Sequence, residues 1–246
     1  MIDLHCHILP ALDDGALELE DAVDMARQAH ADGIDTVCAT PHIRHDHDVV
    51  IGELAGRVSA LNAEMDRRGV EVRIAGGAEV AETAISGLDD EELRDATLGG
   101  GGRWILLEPA PGPLSASLDA AVESLNARGF RSVIAHPERH AHADLAAHLA
   151  RLVDRGALIQ VTAAFLEHEH AAPVILDLAD RGLVHLLGSD AHSARGGRPV
   201  ALSGGLSALA GVRRLAEHLD WIASQAPAAI LAGEDPTPPF PPARSG

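Results

Sequence analysis

The sequence predicts an α/β barrel, and three observations carry that reading. Near-continuous apolar runs alternate about seven times with amphipathic stretches, the pattern of a parallel sheet covered by helices. Six of about seven of those runs end in His, Asp or Glu, where strands of soluble proteins ordinarily end in turn residues. Such residues can meet only where strand ends converge, on the C-terminal face of a closed barrel; an open sheet would spread them along an edge.

The first run holds His5 and His7 with Cys6 between them. On a strand, alternate side chains share a face, so the two imidazoles point one way and Cys6 the other. Two same-face imidazoles at a strand end are half of a transition-metal site. The run 34–40 leads into Pro41-His42, 72–78 into Glu79, and 103–107 into Glu108. The run 131–135 leads into His136-Pro137-Glu138-Arg139, and 183–189 into Asp190-Ala191-His192. The run 157–162 carries Gln160 and Thr162, and Gln160 reads equally as a donor orienting a ligand or as a satisfied buried polar group.

Between the strands, Leu19, Ala22, Val23, Ala26 and Ala29 form one apolar helical stripe, stopped by Gly33. Leu118, Ala121, Val122 and Leu125 form another, opened by Ser115 or Ser117 and closed near Gly129. Leu145, Leu149, Leu152 and Val153 form a third, closed near Gly156. Further helices are predicted over about 53–68, 172–181 and 206–224. Residues 99–102 are expected to be a flexible connection. His140, His142 and His148 are expected on a helix surface, His45 and His47 in a solvated loop or, as the alternative, along the rim of the site, and His168 and His170 in a solvated charged segment. The barrel is expected over 1–232, with a Pro-rich, unstructured tail over 233–246.

At 246 residues and 46% hydrophobic, the chain can bury one large core, built from Ala, Leu, Val and Ile because aromatics are 2% and Tyr is absent. It contains no Lys. A formal charge of -18 argues against nucleic acid, including a nuclease role, and against anionic membranes. No run is long enough to span a bilayer, the N-terminus lacks a basic leader, and the two cysteines form no framework, so a cytoplasmic enzyme is expected.

Taken together, the motifs Asp3-Leu-His-Cys-His-Ile-Leu-Pro with Asp13-Asp14-Gly15, Ala39-Thr-Pro-His42, Gly76-Gly-Ala-Glu79, Leu107-Glu108, Ala135-His-Pro-Glu-Arg139, Gln160-Val-Thr162, Ser189-Asp-Ala-His192 and Gly197-Arg-Pro199 resemble the polymerase-and-histidinol-phosphatase (PHP) family. More narrowly, they resemble its bacterial protein tyrosine phosphatases of capsule and exopolysaccharide biosynthesis. The resemblance runs from Met1 to about Leu231. It implies a distorted TIM-like (β/α)7 barrel and a three-metal site. His5, His7, Glu79 and Asp190 would hold the first metal; Glu79 would bridge to a second, completed by Glu108 and His136; Asp14, His42 and His192 would hold the third. The mixed N/O donor set suits Mn, Fe or Zn, with Mn placed first. The sequence departs from the family where Val80-Ala81-Glu82 replaces frequent aromatics, at Ala163 and Ala164, and in a longer loop over 193–198.

Four carboxylates do not neutralise three divalent cations, so the implied site stays net positive and attracts a phosphate dianion. A metal-bridging hydroxide would attack phosphorus, with Arg139 and Arg198 binding the phosphate oxygens. Arg195 competes with Arg198 for that role in the same loop. The implied activity is hydrolysis of phosphotyrosine in proteins, with a bacterial tyrosine kinase tail as the natural partner. A small-molecule phosphomonoesterase of the histidinol phosphate or sugar phosphate type, a metal-dependent amidohydrolase and a non-enzymatic relic are the alternatives. Cys38 and Arg44 match the Cys-x5-Arg spacing of cysteine-dependent phosphatases. That chemistry is rejected here, because Cys38 lies within a predicted strand and Pro41 removes a backbone donor from the loop.

Overall fold

The computed structural model describes residues 1–140 and 142–240. Its elements, in chain order, are β1 (Ile2–Cys6), α1 (Leu19–Ala31), β2 (Thr36–Ala39), β3 (His42–Ile43), α2 (Leu54–Arg68), β4 (Arg73–Gly76), β5 (Glu79–Ala81), α3 (Asp90–Asp95), β6 (Trp104–Glu108), α4 (Ala116–Ala127), β7 (Arg131–Ile134), α5 (Leu145–Asp154), β8 (Leu158–Thr162), α6 (Ala172–Asp180), β9 (Leu186–Gly188), α7 (Ser203–Leu209) and α8 (Ala226–Leu231). All strand pairs are parallel. One sheet has the order β1-β2-β4 and the other β3-β5-β6-β7-β8-β9.

The nine strands make seven staves. Two apolar runs, 34–43 and 72–81, each bend after four paired residues and continue in the other sheet, β2 into β3 and β4 into β5. The bends deliver His42 and Glu79, which are Cα partners in the β3–β5 register. The first and last staves meet through the Cys6–Ala191 bridge, with Asp190 N donating to His5 O (2.8 Å) and His7 N to Ala191 O (2.9 Å). This is the distorted barrel that the sequence implies. Its buried Leu, Ile, Val and Ala side chains form one continuous core.

Most helices form as their apolar stripes predict. Ser115 accepts from Ser117 N at the start of α4, so Ser115 is the cap. Other details differ. The helix expected over 206–224 is split into α7 and a separate wide turn over Trp221–Gln225 that runs into α8. Between them, 210–218 forms turns, because Gly211 interrupts the apolar period. The connection over 99–102 is packed rather than free: Gly99 has φ 73, and a Cβ there would meet Leu231 O at 2.4 Å. His148 is buried, not on the surface, and bonds Asp119 Oδ2 (2.7 Å).

Within the stretch expected to be a free tail, residues 234–240 lie along the N-terminal ends of the strands. Trp104 Nε1 donates to Glu234 O (2.8 Å), Arg103 Nε to Asp235 Oδ1 (2.7 Å), and Phe240 packs on His185, His218 and Trp221. An aromatic anchor and two polar contacts outweigh the chain entropy that proline-rich composition suggests. The remainder of the expected tail, 241–246, lies outside the described residues.

Candidate metal centre

His5, His7, Asp14, His42, Glu79, Glu108, His136, Asp190 and His192 come together at the C-terminal ends of the staves. They form four overlapping groups whose ligand atoms lie within 4.8 Å of one another: His7, Asp14, His42 and His192; His5, His136 and Asp190; His5, His7 and Glu79; and His42, Glu79 and Glu108. The implied partition pairs His136 with Glu108. In the structure His42 stands beside Glu108 (Nδ1 to Oε2, 3.6 Å), and His136 bonds Glu79 Oε1 instead (2.8 Å).

The local backbone aims these side chains inward. Strand alternation puts His5 and His7 on one face. His136 and Asp190 sit in the left-handed region, at φ 33 and φ 50, where non-glycine residues are held only by their surroundings. Gly15 brings the Asp13-Asp14 turn against His7: a Cβ at position 15 would meet His7 O at 2.2 Å.

The rings are held from behind. His5 Nδ1 donates to Gln160 Oε1 (2.8 Å), and His7 Nδ1 donates to Asp13 Oδ2 (2.7 Å). Each bond fixes the proton on Nδ1 and turns the Nε2 lone pair toward the cavity. The two Nε2 atoms then face each other at 3.4 Å. Glu79 Oε2 lies 3.3 and 3.4 Å from them, and Asp190 Oδ1 3.5 and 3.7 Å. His42 Nδ1 approaches Glu79 Oε2 at 3.0 Å, yet among the described residues neither atom has a hydrogen-bond partner. Buried acceptors that converge with no donor between them leave a place for cations.

Electrostatics tells the same story. Burial opposes charge on His7, but its bond to Asp13 and the nearby Glu79 carboxylate outweigh it and raise its imidazole to about 9. His192, stacked on His7 at 4.0 Å, is pushed down to about 3 by burial and by the charge on His7. Burial also opposes ionisation of Glu79, but the surrounding imidazoles hold its carboxyl well below the usual range. Without metal, a proton on His7 stands in for a cation.

Arginines line the rim. Arg139 and Arg198 both reach Asp190 Oδ2, Arg198 at 3.2 Å, and Arg198 Nε donates to Asp190 O (2.7 Å). Arg195 is exposed and pairs with Glu18 (2.9 Å), so Arg198 is the member of that loop at the site. These residues, with Asp14, His42, Glu108, His192 and Gly197, border an open hollow of about 370 Å³.

Three contributors escaped the sequence reading. Asp13 was seen only within the Asp-Asp-Gly motif, yet it accepts from His7, from His42 N (3.0 Å) and from Gly15 N (3.0 Å). Arg44 figured only in the cysteine decoy, yet its guanidinium bonds Glu108 Oε1 (3.1 Å). Phe165 carried no signal at all, and both rim arginines lie over its ring. The decoy itself fails: Cys38 is buried within β2, and burial pushes its thiol up to about 12. Gln160 Oε1 bonds the His5 ring while its Nε2 has no hydrogen-bond partner among the described residues, and His47 stacks on His42 (5.2 Å) at the rim while His45 is exposed.

An α/β barrel whose strand ends gather imidazoles and carboxylates under a rim of arginines defines a metal-dependent phosphoric ester hydrolase. The family model for capsular polysaccharide synthesis, CpsB/CapC, matches residues 1–229, and the chain belongs to that family. It is 33% identical over 204 residues to the tyrosine-protein phosphatase YwqE of Bacillus subtilis, covering 79% of this chain and 78% of that one. It is 24% identical over 206 residues to the tyrosine-protein phosphatase CpsB of Streptococcus pneumoniae, covering 78% and 83%. The fold superposes with TM-score 0.83 and 26% identity on a crystal structure from a study of YwqE and CpsB, described there as metal-dependent tyrosine phosphatases, covering 99% of this chain and 100% of that one. A histidinol phosphate phosphatase from Lactococcus lactis, at 14% identity and TM-score 0.57 over 90% and 94% of the two chains, shares the fold.

Proposed function

We propose that the chain hydrolyses phosphotyrosine in proteins and that the barrel, residues 1–232, is its catalytic unit. The observation that carries this reading is the convergence of His5 Nε2, His7 Nε2, Glu79 Oε2 and Asp190 Oδ1 beneath two arginines. The nine residues at the strand ends would hold three divalent ions, Mn, Fe or Zn by the mixed N/O donor set, with Mn our first choice. When bound, the metals supply Lewis acidity and a water that ionises near neutral pH.

The chain's own groups do the rest. Asp13 and Gln160 hold the His7 and His5 rings in the ligating tautomer. Arg139 and Arg198, which rest on Asp190 in this structure, turn to the equatorial oxygens of the phosphoryl group as charge shifts there. Arg44 bonds Glu108 and keeps its carboxylate in place. A phenolate, whose conjugate acid has a pKa of about 10, leaves without full protonation, so the site needs no strong general acid. The kinship with YwqE and CpsB supports a phosphotyrosyl protein as substrate, and our choice of partner is a bacterial tyrosine kinase tail. No described helix is long and apolar enough to cross a membrane, and we place the enzyme in the cytoplasm.

The test is phosphate release from a phosphotyrosyl peptide by protein stripped with chelator and then resupplied with Mn, Fe or Zn. Activity that vanishes, returns with metal and survives thiol alkylation is the expected result. A metal-replete protein that ignores the peptide but cleaves histidinol phosphate or a sugar phosphate overturns the protein-phosphatase reading.

A further inference from the structure

The chain has three Phe, two Trp and no Tyr. Phe130, Phe240, Trp104 and Trp221 are buried in the core. Phe165 alone is half-buried, on the loop that follows β8 at the active end of the barrel. The guanidinium carbons of Arg139 and Arg198 lie 5.5 and 5.8 Å from its ring centroid. Part of the Phe165 ring packs against the core, and the rest stays open beside the two arginines.

Arg139 is a shared wall. On one side is the polar hollow over the metal centre. On the other is a second hollow of about 300 Å³, lined by Glu138, Phe165, His168, Ala171 and Val174. Its exposed surface is mainly apolar, unlike the first. Glu138 is buried there: Oε1 accepts from Thr162 N (2.9 Å), while Oε2 has no hydrogen-bond partner among the described residues.

We propose that this second hollow seats the phenyl ring of the substrate and that Phe165 selects aryl over alkyl phosphates. The proposal rests on the phosphatase reading above. A phosphoryl group held by Arg139 and Arg198 leaves its ester oxygen at the boundary between the two hollows. A ring attached to that oxygen enters the apolar side, within reach of Phe165, where aromatic pairs prefer centroid separations of roughly 4.5–7 Å. An alkyl ester of serine or a small polyol gains no such contact.

Titration calorimetry on the Mn-loaded protein tests this with two non-hydrolysable probes, phenylphosphonate and methylphosphonate. The wild type should bind phenylphosphonate at least about tenfold more tightly. Phe165→Ala should abolish most of that preference and leave methylphosphonate binding unchanged. Val174→Trp, which fills the hollow from α6 without altering Phe165, should do the same. Equal loss of both probes in Phe165→Ala would make the ring only a platform for the arginines and would overturn the proposal. So would a wild type that does not prefer phenylphosphonate. Failure of the wild type to dephosphorylate a phosphotyrosyl peptide overturns the underlying reading instead, so the two failures are distinct.

Discussion

At the C-terminal ends of the strands, Glu79 Oε2, His42 Nδ1 and His136 Nδ1 are buried without a hydrogen-bond partner among the described residues. At the N-terminal ends, Trp104 Nε1 donates to Glu234 O, His185 Nδ1 accepts from Ile159 N (3.1 Å), and Phe240 closes over an aromatic cluster. One end holds polar groups in readiness for cations. The other satisfies most of its polar groups within the chain, with Ser132 Oγ an exception among the described residues. Orphaned acceptors cost stability wherever they are buried. A barrel that concentrates them at one end gains from a well-packed opposite end, and the strap over 234–240 supplies part of that packing. The division predicts that the two ends fail separately.

Glu79→Gln should produce the largest effect. Glu79 approaches His5, His7, His42 and His136, so its loss should abolish phosphate release from a phosphotyrosyl peptide while the circular dichroism spectrum stays native. Retained turnover would break the assignment of Glu79 as the central ligand. At the other end, Phe240→Ala should lower unfolding free energy by about 3 to 4 kcal/mol, read by denaturant titration, with kcat unchanged. A fall in kcat without a fall in stability would mean that the two ends are not independent.

His185 gives the satisfied end a pH signature. Burial pushes its imidazole down to about 4, against about 6.5 in the unfolded chain. Neutral His185 is therefore tolerated fully above pH 6.5. Stability is lost as pH falls from there through 4, by about 3 kcal/mol in all. Denaturant titrations across that range should show a shallower slope in His185→Gln than in the wild type; identical slopes would remove His185 from the account. The smallest effect should come from Asp13→Asn, which keeps the shape but weakens the hold on His7 Nδ1 and the His42 backbone. Metal affinity should fall about tenfold with folding unaffected, as measured by competition with a chelator.

The active end was the more legible in sequence. A ligand must be His, Asp or Glu, and a strand end fixes its place, so His5, His7 and the Ser-Asp-Ala-His piece announce themselves. The residues that hold the ligands obey no such rule. Asp13 acts through a turn, Gln160 from β8 across the intervening β9, and Arg44 across to Glu108, and only folding brings those partners together. Phe165 was invisible because a single aromatic in a loop has no period. The strap was misread because proline content reports chain stiffness and solvation but says nothing about an anchoring Phe240 beside a distant His185. The interrupted helix near 210 shows the same limit: its apolar positions were read as one stripe, although Gly211 and the turns around it divide them.

The strap also decides what light reports about this molecule. Trp104 and Trp221, its only tryptophans, both stand at the strapped end, and the chain has no tyrosine. Intrinsic fluorescence is therefore a private signal of that end, distant from the candidate metal centre. Against so quiet a background, each tyrosine freed of its phosphate in a phosphotyrosyl peptide adds its own emission, and catalysis can be watched continuously without a label.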